Sequence, residues 1–267
     1  MPVLEIAVRK LPETVPFREL HVVSPDEDCP RIRKALGSKV RVIPENEFIP
    51  GMNLAALREL PVAGFPKMAG WYFQQLLKLQ FAFCETEDDY YLIWDADTVP
   101  LRPMRFFDSK GKMLLTKATE HHPAYFETYR KLLGTDPRRE FSFIAQHMLV
   151  QKSIAREMLA HIETRLEGNG NWAWKIMRAL PPKGENLFSE YETYGHYVKN
   201  YRPDRVNFVD RSWLREPAQY AGEAVPTEKV LQELSRKYDF AAFERASRGW
   251  RRLANKLVGG LRQRWHR

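Results

Sequence analysis

"YYLIWDADTVPLRP", Tyr90–Pro103, decides how the rest of the chain is read. A run of apolar and aromatic residues goes straight into two aspartates one residue apart, and Pro100 follows. A continuous apolar run is the pattern of a strand covered on both faces. Ligands in open α/β sheets bind beyond the carboxyl ends of strands, which is where Asp95 and Asp97 fall. Two readings follow. In one, Asp97 makes a solvated side-chain turn ahead of Pro100. In the other, carboxylates at i and i+2 present oxygens to a hard divalent cation, Mn²⁺ or Mg²⁺, which bridges to a diphosphate. The triplet alone is common by chance, but carboxylates next to a core need a compensating partner.

Working outward, strand-like and helix-like stretches alternate. "FRELHVVSP" (17–25) reads as a strand ended by Ser-Pro, "DEDCPRIRKALG" as a turn and short helix stopped by Gly37, and "KVRVIPEN" as a second strand. Residues 44–70 are rich in Pro and Gly and read as a long loop. "AGWYFQQLLKLQFAFC" (69–84) places Trp71, Leu76, Leu79 and Phe83 on one helical face. Downstream, "KMLLTKA" and "SFIAQHMLVQ" read as strands. "HPAYFETYRKLLG" reads as a helix closed by Gly134, and "SIAREMLAHIETRLEG" as one capped by Ser153. "NWAWKIMRAL" and "SEYETYGHYVKNY" also read as helical. The alternation predicts an α/β sheet flanked by helices on both faces.

The 267 residues are 44% hydrophobic, 28% charged and 12% aromatic, enough for a full core and too aromatic for disorder. Two distant cysteines, Cys29 and Cys84, make no disulfide scaffold and suit a reducing compartment. No apolar run is long enough to span a bilayer, and "MPVLEIAVRK" has no signal-peptide pattern. The net charge of +8 is concentrated at one end: residues 245–267 carry eight Lys and Arg and no acid, leaving the rest of the chain balanced. Within that segment Trp250, Leu253, Leu257, Leu261 and Trp265 form one helical stripe ringed by arginines. This is the pattern of a helix lying on an anionic membrane surface, or of one docked on the body. No nucleic-acid motif accompanies the charge, so nucleic acid is not expected as a partner.

The stretch "YYLIWDADTVPLRPMRFF" resembles the signature of GT-A glycosyltransferases, in which an Asp-x-Asp binds a metal-bound nucleotide sugar. The resemblance extends to "GWYFQQLLKLQFA" upstream and to "FSFIAQHMLVQKSIAREML" and "LFSEYETYG" downstream, in an order similar to that of a bacterial group linked to surface-polysaccharide synthesis. It covers about residues 15–215. It implies a GT-A (nucleotide-diphospho-sugar transferase, Rossmann-like) mixed sheet flanked by helices over residues 1–240, followed by a basic amphipathic helix at 241–267. The implied activity is metal-dependent hexosyl transfer from a nucleotide-diphosphate sugar, UDP-sugar favoured, to a glycan or lipid-linked acceptor. A cytoplasmic location, peripheral at the inner face of the membrane, goes with it.

The same resemblance implies residue roles. Asp97 is the direct metal ligand, and Asp95 contacts the metal or the ribose. Lys78 matches a lysine that reaches the donor's phosphate or sugar in glycogenin-like enzymes; read alone, it is a solvated helix lysine pointing off the core face. Glu190 or Glu192 supplies the carboxylate at the reacting centre, either as base toward the acceptor hydroxyl or as stabiliser of the sugar cation. On a helix the two face different ways, so one at most enters the cleft. Ser189 with Glu192 also fits a capping box, and Glu192 could pair with Lys199. His196 and His147 are candidate late histidines, His196 for the metal and His147 for the donor. Gln146 and His147 form a polar pair inside an apolar run and need partners if buried. "HHP" at 121–123 reads as a loop.

One part departs from the pattern. "LEIAVRKL" reads as a helix and "RELHVVSP" as a second strand, so the expected first strand is missing. That departure supports the competing reading of a non-catalytic nucleotide-sugar-binding or scaffold protein with a decayed GT-A fold, and of a longer natural chain.

Overall fold

The computed structural model describes residues 2–60, 65–181, 184, 186–215 and 225–243, with backbone alone at Phe65 and Pro66. The basic segment 245–267 lies outside the described residues. The chain is mixed α/β and divides into two compact units, each discontinuous in sequence.

The larger unit holds residues 18–94 and 105–210. It opens with β1 (Leu20–Ser24), α2 (Cys29–Leu36) and β2 (Val40–Pro44), in which the strands pair in parallel from Leu20↔Val40 to Ser24↔Pro44. This is a βαβ unit, and the short crossover is possible because Gly37 takes φ +74° directly after the helix. "LHVVS" is therefore the first strand of its unit and not the second. The helix that precedes it in sequence, α1 (Pro2–Thr14), belongs to the other unit.

The expected long loop at 44–70 is also corrected. Asn53 accepts the N–H of Ala56 and starts α3 (Leu54–Arg58), and α4 begins at Phe65 and runs to Gln80. β3 (Tyr90–Trp94) pairs antiparallel with β6 (His147–Gln151), and β5 (Met113–Thr116) pairs in parallel with β7 (Val206–Val209). Helices α5 (Pro123–Leu133), α6 (Lys152–Arg165), α7 (Trp172–Ala179) and α8 (Glu190–Tyr201) complete the unit. Gly134, in the left-handed region at φ +74°, closes α5 with its N–H on the Arg130 carbonyl, as the sequence predicts. Ser153 is not the cap of α6. The helix starts one residue earlier, and Asp89 reaches its first turn, accepting from Ser153 N at 3.0 Å and Ser153 Oγ at 2.7 Å. Phe73, Leu76 and Leu79 of α4, together with Val150, Met158, Ile162 and Phe188, are buried in this unit.

The smaller unit combines α1, residues 95–104 and residues 211 onward. Its three-stranded sheet has the order β4 (Thr98–Pro100), β9 (Phe240–Ala242), β8 (Trp213–Arg215). β4 and β9 are antiparallel, while β8 and β9 are parallel and joined through α9 (Glu228–Ser235). Ala7 of α1, Val99, Leu231, Ala241 and Phe243 form its core. Strand β9 ends at Ala242, near the end of the described residues. No helix among the described residues is long and apolar enough to cross a membrane.

Candidate functional site

Asp95 and Asp97 open the segment of the smaller unit that follows β3 in sequence. The carbonyl of Asp95 accepts the N–H of Thr98 at 2.9 Å, which makes Asp95–Thr98 a turn. The carbonyl of Asp97 accepts the N–H of Phe243 at 2.7 Å, one residue beyond β9. The pairing Thr98↔Ala242 continues that ladder. Thr98 Oγ1 donates to Asp97 Oδ1 at 3.4 Å. Backbone bonds on both sides thus hold the turn, and Asp95 and Asp97 are both half-buried residues. The motif is a turn whose backbone carbonyls at Asp95 and Asp97 both accept hydrogen bonds.

In the larger unit, α8 carries the second acidic site. Ten consecutive residues, Glu190–Lys199, are buried, although half of them are polar or charged. Burial on all sides normally asks for an apolar helix, so these side chains need partners. The first donors of the helix are met from outside it: Gln75 Oε1 of α4 accepts Glu190 N at 3.0 Å, and Ser189 Oγ accepts Glu192 N at 3.2 Å.

The two glutamates then diverge, as their spacing predicts. Glu190 Oε1 lies 2.7 Å from Lys78 Nζ, with the carboxylate side chain 4% exposed and the lysine 16%. Lys78 also donates to Tyr191 Oη at 3.3 Å and lies 4.5 Å from the centre of that ring. The sequence reading of Lys78 as pointing off the core is corrected, because α4 packs on α8 and turns that face inward. Tyr125 belongs to this neighbourhood. Burial pushes its phenol well up, and the charges of Glu120 and Glu190 add to the shift, so it remains a protonated donor. Glu120 itself accepts from His122, at 2.8 Å, in the loop before α5.

Glu192 is used differently. Its Oε1 accepts from Ser142 Oγ and from Phe143 N at 3.3 Å. Its Oε2 lies 2.9 Å from His196 Nε2, but the geometry of that approach is too bent for a directed hydrogen bond. His196 has no exposed surface and is walled by Phe126, Tyr129 and Phe143 at 5.0–5.9 Å between ring centres. The Ser-x-x-Glu signature is thus half a capping box: serine caps, and the glutamate side chain goes to the Ser142–Phe143 segment. Lys199 pairs with Glu140, not with Glu192.

His147 is buried at the first position of β6. It stacks on Trp94, its cross-strand partner, at 5.3 Å and 21°, and its Nε2 lies 3.1 Å from Thr116 Oγ1. Among the described residues no group of three or more His, Cys, Asp or Glu is placed to hold a metal ion. The His196 ring, in the larger unit, is closed in by aromatic side chains. A groove of about 600 Å³ runs along the outer edge of β2, lined by Arg33, Arg41 and Pro44 among others. None of the candidate residues lines it.

The chain matches, over residues 3–243, the sequence profile of a group described as a family of unknown function (DUF6492). It belongs to that family. The profile takes in both DUF6492 units described above and ends at Phe243, the residue whose N–H holds Asp97. A search of curated proteins returns no match. Among solved structures, the DUF6492 chain is similar to mouse xyloside xylosyltransferase 1 in its apo form, at 16% identity and a TM-score of 0.44, covering 91% of this chain and 92% of that one. It is also similar to galactosyltransferase LgtC in complex with donor and acceptor sugar analogues, at 14% identity and 0.42, covering 93% and 85%. An active-site mutant of LgtC gives 13% and 0.42, covering 97% and 91%. No residue role is transferred from these structures.

The sequence pointed to Asp95, Asp97, Lys78, Glu190, Glu192, His147 and His196. The structure brings Lys78 to Glu190 and Glu192 to His196, and keeps the two pairs apart on α8. Sequence reasoning missed Tyr125, Tyr191, Glu120 and Ser142. Nothing periodic marks them, since loops and a neighbouring helix bring them together.

Proposed function

We propose that this chain is a GT-A glycosyltransferase that moves a sugar from a nucleotide-diphosphate donor to a glycan or lipid-linked hydroxyl. The observation that carries the reading is the Asp95–Thr98 turn. It follows a mostly apolar strand, is held by backbone bonds on both sides, and its two aspartates are half-buried. Two carboxylates do not enclose a cation by themselves. They do fit Mg²⁺ or Mn²⁺ of the kind that takes one or two protein carboxylates and completes its shell with substrate phosphate and water. Asp95 and Asp97 would hold that cation, which when bound neutralises charge on the departing diphosphate.

Within the larger unit, Glu190 is the carboxylate assigned to the reacting centre. Glu192 is occupied by Ser142, Phe143 and the His196 ring and is assigned a structural role. Lys78 keeps Glu190 compensated in a buried setting and holds its orientation, while Tyr125 and Tyr191 offer phenol hydroxyls to sugar oxygens. The intact β1–α2–β2 crossover supports this reading over that of a decayed, non-catalytic fold.

The test is Mn²⁺-dependent hydrolysis of a panel of UDP-, GDP- and CMP-sugars, preceded by thermal shift to find the donor. Asp97→Asn is expected to lower turnover at least about a hundredfold, of the order seen when a transition-state charge contact is lost, with an unchanged melting temperature. Turnover by Asp97→Asn equal to that of the parent protein would show that the motif is only a turn.

A further inference from the structure

Gln146 stands out among the residues that the proposed chemistry leaves unused. Its φ is +61°, in the left-handed region, which a non-glycine residue with a long side chain seldom adopts. It is 5% exposed. Its carboxamide makes no hydrogen bond to another described residue. The amide's oxygen and nitrogen are not among the fully buried unpartnered polar atoms, so they reach the surface from a residue whose strained backbone costs stability.

The position of Gln146 suggests why. It directly precedes His147, whose register partner is Trp94, the last residue of β3. Because β3 and β6 are antiparallel, Gln146 stands just past the carboxyl end of β3, the end at which α/β sheets bind their ligands. The neighbouring His147 is fixed by its stack on Trp94 and its contact with Thr116, so the segment is rigid where it bends. Glycine would relieve the backbone strain, yet a carboxamide is present.

We propose that Gln146 binds substrate, its carboxamide exchanging hydrogen bonds with hydroxyls of a sugar ring, and that it sets the choice between epimeric sugars. One amide supplies a donor and an acceptor together, which suits neighbouring hydroxyls that play both parts. The proposal rests on the glycosyl-transfer reading above.

The experiment compares Gln146→Gly and Gln146→Met with the parent full chain. Melting temperature is measured together with kcat and KM for Mn²⁺-dependent turnover of epimeric nucleotide sugars such as UDP-glucose and UDP-galactose. Glycine removes the strain and the amide, and methionine removes only the amide at nearly constant length. Both variants are expected to lose about five- to tenfold in kcat/KM on the preferred sugar, the size of one neutral hydrogen bond, and to lose selectivity between epimers. Gln146→Gly is expected to melt at or above the parent temperature. Normal kcat/KM and epimer selectivity in both variants overturns the proposal. So does a fall of several degrees in both melting temperatures, which shows that the fold itself holds the amide. If the parent chain neither binds nor turns over any nucleotide sugar, the glycosyl-transfer reading falls and takes this inference with it. Parent turnover with unaffected variants removes only the role of Gln146.

Discussion

Replacing Lys78 by methionine tests the reasoning about the acidic site most sharply. The Lys78–Glu190 pair is short at 2.7 Å, and its carboxylate is almost fully buried. Methionine keeps the apolar stem of the lysine and its packing against Tyr191, so the change isolates the charge. Removing one partner of a buried pair leaves the other uncompensated, at a cost of about 3–5 kcal/mol. Lys78 retains some exposure, so the lower end applies, about 3 kcal/mol. In a domain of this size that corresponds to roughly 6–12 °C in melting temperature. The assay is urea unfolding followed by tryptophan fluorescence, with the slope checked for constancy. Lys78→Met with Glu190→Gln should recover at least half of the loss, because the buried charge is then gone as well. A double variant as unstable as Lys78→Met, or a single variant within about 0.5 kcal/mol of the parent, refutes the argument that Glu190 is a buried charge held by Lys78.

Two further predictions concern the scaffold around the site. Gly195 lies in the middle of α8, and a Cβ there would come within 2.3–2.8 Å of the Phe143 ring, itself packed against Phe141, Phe208 and His196. Gly195→Ala is expected to destabilise by about 1–3 kcal/mol despite the better helix propensity of alanine, and a stabilised variant in the same urea assay would refute the close fit. Asp89 is the other case. Burial raises its pKa, but the bonds from Ser153 and Gln151 together outweigh that and leave it below the ordinary value. A depressed carboxyl stabilises above its unfolded pKa, near 4, and loses that contribution as pH falls through the folded value. Asp89→Asn should therefore cost about 1 kcal/mol at neutral pH, as for a lost helix cap. The difference from the parent protein should shrink below about pH 4. A difference that is constant with pH would refute the charge-assisted cap.

Much of the secondary structure is legible in the sequence because local chemistry sets it. The apolar run before Asp95 gives a strand, Gly134 ends a helix in the only conformation that suits it, and Ser189 caps α8. The misreadings have equally local causes. Pro and Gly at 44–70 suggested a loop, whereas Asn53 nucleates a helix and a second one begins at Phe65. Ser153 looked like a cap because serine commonly is one, yet an aspartate from a distant loop takes that part.

The sequence by itself determined the Asp-Ala-Asp turn after a strand, the divergence of Glu190 and Glu192 on one helix, and the concentration of charge at 245–267. Strand period, helical angle and composition are properties of neighbours in the chain. Tertiary structure alone decided that Lys78 faces Glu190, that Glu192 serves Ser142 and Phe143, that His196 is closed in by aromatic rings, and that Phe243 holds Asp97. Each of these joins residues far apart in sequence through the packing of α4, α5 and α8 or the pairing of β4 with β9. No local pattern encodes such partners, because a buried polar group is satisfied by whatever the fold brings to it.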